Sequence, residues 1–139
     1  WLKPQKPARD QIAKIFSVVD RDLEDSKQPV SADSQFNIAY NAALQLCAIV
    51  LLAEGWRPDK LNAHYRTITA LPEILGQERQ GDADYLNTCR SKRNGLEYDE
   101  AGRVSAAEAK DLREFAVELR AAVVAWLGDK HPHLSPWAK

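Results

Sequence analysis

Residues 31–54 constrain the fold more than any other stretch of the chain. Ser31 is a good N-cap, Asp33 stands where a helix dipole favours negative charge, and Gly55 supplies a stop. Between them, apolar positions cover most of a helix circumference rather than a single stripe. Such a helix is stable in water only when neighbours cover it all round, so it is expected at the centre of the protein. Ala39, Ala42, Ala43 and Ala48 keep its surface narrow and let those neighbours approach closely. Its longest apolar run, residues 38–53, is broken by Asn41 and Gln45 and falls short of the roughly 20 residues of a bilayer span. A buried core helix, with no membrane contact, is the expectation.

The rest of the chain reads as its cover. Residues 8–27 place Ile12, Ile15, Phe16, Val19 and Leu23 on one face. A third helix over residues 59–71 carries Leu61, Tyr65 and Ile68 on one side, and Pro72 suits the first position of a short following turn. A fourth starts near Asp82 and carries Tyr85, Leu86 and Cys89. A fifth opens on the capping-box pattern Ser105-x-x-Glu108, presents Leu112, Phe115, Leu119, Val123 and Trp126, and stops at Gly128. No alternating run of β-formers occurs, so no strand is expected. The pattern predicts an all-α protein, an antiparallel bundle of four to five helices over residues 8–128. Residues 1–7 form an N-terminal extension and residues 129–139 an extended C-terminal tail, each holding a tryptophan, Trp1 or Trp137, as a candidate contact residue.

Size and charge narrow the function. The 139 residues suit one domain, and 19 Lys+Arg against 20 Asp+Glu leave a formal charge of −1. That balance excludes a protein that coats nucleic acid by bulk electrostatics, so anion binding requires a local cluster. Two cysteines, Cys47 and Cys89, make no disulfide scaffold, and a reducing cytoplasm is the default location. The chain opens on Trp1 and has no Met, so its natural start is expected upstream; no secretory leader is visible in these residues. No zinc spacing, Gly-rich phosphate loop or Ser/His/Asp arrangement is present, and no metal or cofactor is expected. His131 and His133, which flank Pro132, are given no role.

The segment from Cys89 to Asp99 breaks the local rules. At about 100° per residue, Leu86, Arg90, Arg93 and Glu97 fall within roughly 60° of one another. Two arginines and a glutamate thus share the apolar side of a helix that also contains Gly95, a weakener of about 1 kcal/mol relative to Ala. One explanation is an internal ion pair, Arg93–Glu97 or Arg90–Glu97, with Gly95 marking an early helix end. The other is a phosphate site, because the guanidinium is permanently charged and its planar fork matches phosphate oxygens. Asn94 then orients a ligand or the guanidinium.

Asn37, Asn41 and Gln45 recur every four residues on the otherwise apolar second helix. A buried amide needs partners, since an unmet one costs about 1–3 kcal/mol. The stripe is either interhelical glue or the far wall of a polar pocket facing the arginines. His64, beside Tyr65 on the third helix, is a structural or surface residue unless the fold brings it to that pocket.

Phe36-Asn37-Ile38-Ala39-Tyr40-Asn41-Ala42-Ala43, then His64-Tyr65, then Arg93-Asn94 followed by Glu97-Tyr98, resembles the HEPN domain family over residues 8–127. The resemblance implies a bundle of four or five helices, a homodimer, and a place among prokaryotic toxins and defence proteins that cut RNA without a metal. The family signature is an Arg, then Asn, Asp or His, then a His shortly after. Arg93 matches the first position and Asn94 the second, and Asn37 or Asn41 stands where relatives carry a supporting polar side chain. The signature His is replaced by Tyr98, whose ordinary pKa near 10 is far from that of a general base at neutral pH.

Two functions follow as expectations. The first is recognition of RNA or a nucleotide phosphate by Arg90, Arg93, Glu97, Asn37, Asn41 and His64, with Arg93, Asn94 and Tyr98 as the catalytic set if RNA is cut. It carries with it a cognate antitoxin or nucleotidyltransferase as partner. The second is a catalytically inactive module, antitoxin or scaffold, whose polar cluster holds a dimer or partner together.

Overall fold

Ile12, Phe16, Val19 and Leu23 follow one another at three- and four-residue steps, and all four are buried on one face of α1 (Arg9–Asp25). The computed structural model describes residues 2–98 and 104–137, with side chains for all of these except 95–98. Among the described residues the protein is mostly helical, with five α-helices and one small two-stranded sheet.

Helix α2 (Ala32–Ala53) is the centre, as its pattern requires. Ser31 caps it by accepting the Ser34 N–H at 3.1 Å. At 22 residues it is longer than the 38–53 run, and by length and composition it could cross a membrane; 72% of its most apolar window is nevertheless buried inside the protein. All four other helices contact it.

Helix α3 (Ala63–Leu75) corrects two expectations. Its start after Asn62, a left-handed residue with φ 55°, leaves Leu61 outside the helix and 71% exposed. The buried face is Thr67, Ile68, Ala70 and Leu71, so Tyr65 turns outward and is 47% exposed. Pro72 does not break the helix. It is itself buried, and the last turn beyond it is packed to the core through Ile74 and Leu75. Packing there outweighs the single backbone bond a proline removes.

A 3-10 turn, Gln77–Arg79, leads into α4 (Gln80–Tyr98), which buries Ala83, Leu86 and Cys89. Its backbone stays helical through Gly95, so that glycine does not end the helix. Helix α5 (Ala106–Lys130) carries both arms of the capping box: Ser105 Oγ accepts the Glu108 N–H, and Glu108 Oε1 accepts the Ser105 N–H, each at 3.1 Å. It runs past Gly128, whose helical cost is offset by burial of Leu127 alongside it.

Residues 2–4 and 131–137 pack onto the rest of the fold. Leu2–Pro4 (β1) pairs antiparallel with Trp56–Pro58 (β2), with Lys3 opposite Arg57. Three-residue strands that end in proline carry no alternation to read, which is why composition hid them. The tail is not extended: Pro132–Leu134 form a 3-10 turn that buries Leu134, and Trp137 meets Phe16 edge-on at 4.8 Å. Arg9 secures it by donating to the Pro136 carbonyl at 3.2 Å.

Candidate functional site

Helices α2, α3 and α4 bring polar side chains to one place. Asn37 and Tyr40 lie three residues apart on α2, hence on one face. Arg93 crosses from α4 and donates its Nε–H to Asn37 Oδ1 at 2.6 Å, and its Cζ lies 5.4 Å from the Tyr40 ring centroid. Of the polar stripe on α2, Asn37 therefore faces Arg93 of α4. Arg90, one turn before Arg93, lies over the Tyr65 ring at 5.6 Å and donates to Asn87 Oδ1 at 3.4 Å. Both rings present their negative faces to a cation.

Tyr40 is the centre of this cluster and is fully buried. Its hydroxyl lies 3.4 Å from His64 Nδ1. Burial pushes the phenol up to about 12, against the opposing pull of Arg93 and then Arg90. It therefore keeps its proton at neutral pH and serves as a hydrogen-bond donor, not a base. In the tautomer where His64 Nδ1 accepts that bond, Nε2 carries the ring proton on an exposed residue.

The fold thus gathers Asn37, His64, Arg90 and Arg93, four of the residues expected from sequence. Asn41 and Asn94 are half-buried on α2 and α4 and take no part in the hydrogen bonds just described. The side chains of Glu97 and Tyr98 lie outside the described residues, although the α4 backbone carries through both. Tyr40 was missed as a site residue. Its signal was a large aromatic with a hydroxyl among alanines, three residues from Asn37, on a helix too buried to leave that hydroxyl unpartnered.

The arrangement offers two fixed guanidinium groups, a buried phenol donor and an imidazole. Such a set suits an oxyanion better than a cation. Among the described residues, no group of three or more His, Cys, Asp or Glu is placed to hold a metal ion. Cys47 and Cys89 are free and buried, and burial raises them to about 12 and about 11, so neither is primed as a nucleophile at neutral pH. Comparison with protein-family models, curated proteins and solved structures returns no match.

Proposed function

We infer that the protein is a HEPN-like domain that recognises the phosphate backbone of RNA, or the phosphate of a nucleotide, through Arg90 and Arg93. One observation carries this reading: the Arg90 guanidinium is oriented by the neutral amide of Asn87 and backed by the Tyr65 ring, one turn from Arg93, which crosses to Asn37 and Tyr40. Among the described residues, no carboxylate lies within ion-pair distance of Arg90. A cation held by a neutral partner retains its attraction for an external anion. Tyr40 and His64 add a proton donor and an imidazole to the same cluster, the side-chain type suited to proton transfer at neutral pH. Any cleavage of the bound strand falls to the exposed His64 imidazole, which Tyr40 orients from the buried side, rather than to a cysteine.

The experiment is fluorescence anisotropy with a labelled single-stranded RNA of mixed sequence. Arg90→Ala combined with Arg93→Gln is expected to weaken binding at least about tenfold and to flatten its dependence on salt. Unchanged affinity in a folded double variant overturns the reading.

A second reading has its own support. The 2.6 Å Arg93–Asn37 bond ties α4 to α2, as a structural brace in an interaction module would. Under that reading Arg93→Gln lowers the melting temperature, and no RNA binds to the parent protein.

A further inference from the structure

Tyr65 belongs to two neighbourhoods. Arg90 lies over its ring, and the same residue lines a groove of about 320 Å³ along the outer face of α3. Tyr65, Thr69 and Glu73 follow one another at four-residue steps and form one stripe of that helix. Asn62 stands at its start, and Leu2 of β1 and Ala70 add apolar wall. The volume lies at the small end of the range for ligand sites, roughly 300–1,000 Å³. Leu2, Ala70 and the Tyr65 ring give the groove an apolar base, and Asn62, Arg66, Thr69 and Glu73 set polar groups around it, a mixture that suits a flat heterocycle. Proteins that hold single strands set aromatic platforms beside a cationic track, and a half-exposed tyrosine in contact with Arg90 has that form.

Charge gives the groove a direction. Arg90 lies over Tyr65, and Arg66, which also lines the groove, turns its Nε–H back to the Leu61 carbonyl at 3.2 Å, so both cations stand at the Tyr65 end; Glu73 stands two turns along α3 from that end, exposed and without an ion-pair partner among the described residues. A phosphate is drawn to the Tyr65 end and repelled by Glu73. The base therefore lies toward Glu73, whose carboxylate only accepts hydrogen bonds. Guanine presents two adjacent donors, N1–H and the 2-amino group, to such an acceptor. Uracil flanks its one N–H with two carbonyl oxygens, which a carboxylate repels.

We propose that this groove is a nucleobase subsite, selective for guanine, in which Tyr65 stacks the base and Glu73 reads its edge. The proposal rests on the phosphate reading above and names the ligand of that same surface.

The test uses labelled uridine-rich RNA strands carrying at one position a guanosine, a uridine or an abasic ribose, with GMP and ribose 5-phosphate as competitors. The guanosine strand is expected to bind about tenfold tighter than the abasic one. Tyr65→Ala removes that advantage and Tyr65→Phe retains it. Glu73→Gln erases the preference for guanosine over uridine and leaves the abasic strand's affinity unchanged. GMP that competes far better than ribose 5-phosphate supports the groove and shows that a free nucleotide also fills it; competition only by the strand supports it as part of an RNA track. Equal binding of all three strands, still lost in Arg90→Ala, overturns the groove and leaves the phosphate reading standing. Failure of every strand to bind overturns both.

Discussion

Two parts of the molecule lay an arginine on an aromatic ring, and they differ in what the arginine finds at its other end. On the α1–α5 side, Arg120 lies 5.6 Å from the Phe16 ring and 5.3 Å from that of Trp137, and it bonds both carboxylate oxygens of Asp20, at 2.6 and 3.1 Å. Its charge is met within the chain, and the assembly ties α1, α5 and the tail together. On the α3–α4 side, Arg90 lies over Tyr65 and its hydrogen bond goes to the neutral amide of Asn87. A stacked guanidinium alone is therefore no mark of a binding site. The charge of its partner separates a brace from a candidate ligand arm.

The largest expected effect belongs to the apolar layer that both sides share. Leu112 of α5 is fully buried, and Leu112→Ala should lower the unfolding free energy by about 2–5 kcal/mol in urea denaturation. A loss below about 1 kcal/mol would mean that α5 is not packed as described. Next comes the contrast between the two arginines. Arg90→Ala should weaken RNA binding about tenfold, equivalent to roughly 1.4 kcal/mol, with little change in melting temperature. Arg120→Ala should do the reverse, destabilising the fold by about 1 kcal/mol and sparing RNA. Identical behaviour of the two variants would break the comparison.

A smaller effect appears at high pH. The folded protein holds the Tyr40 proton more tightly than the unfolded chain, so this contribution is complete below pH 10 and is lost as pH rises towards 12. Cys89 and Cys47, raised by burial, add to the same alkaline fall, as does Tyr85. Tyr40→Phe should flatten only part of the decline in stability, followed by chemical denaturation at stepped pH. An unchanged pH profile would remove Tyr40 from the account. The smallest change is Ser105→Ala, which deletes the capping-box acceptor and should cost about 0.5 kcal/mol, the low end for a lost N-cap, on an otherwise unaltered fold.

What the sequence made legible follows from the length of the signal. Helices α1, α2 and α5 carry long periodic faces and clear caps, and their positions were readable to within a few residues. Local chemistry misled where packing decided instead. Pro72 suggested a helix start but sits inside α3, and Leu61 and Tyr65 suggested a core face but lie outside it. The short strands and the docked tail depend on contacts between residues about 50 or more positions apart, such as Leu2 with Pro58 and Arg9 with Pro136, which no local window contains. Within the site, helical spacing placed Asn37 and Arg93 on inward faces. That those faces meet, and that His64 reaches the same cluster through Tyr40, is a tertiary fact.

The central claim is that the Arg90 guanidinium on α4 receives an external anion while that of Arg120 on α5 is already satisfied by Asp20. Proton–nitrogen NMR of the arginine Nε–H groups reads this directly during titration with single-stranded RNA. The signals of Arg90 and Arg93 should shift with saturation while that of Arg120 stays in place. Shifts spread evenly over all three, or confined to Arg120, would contradict it.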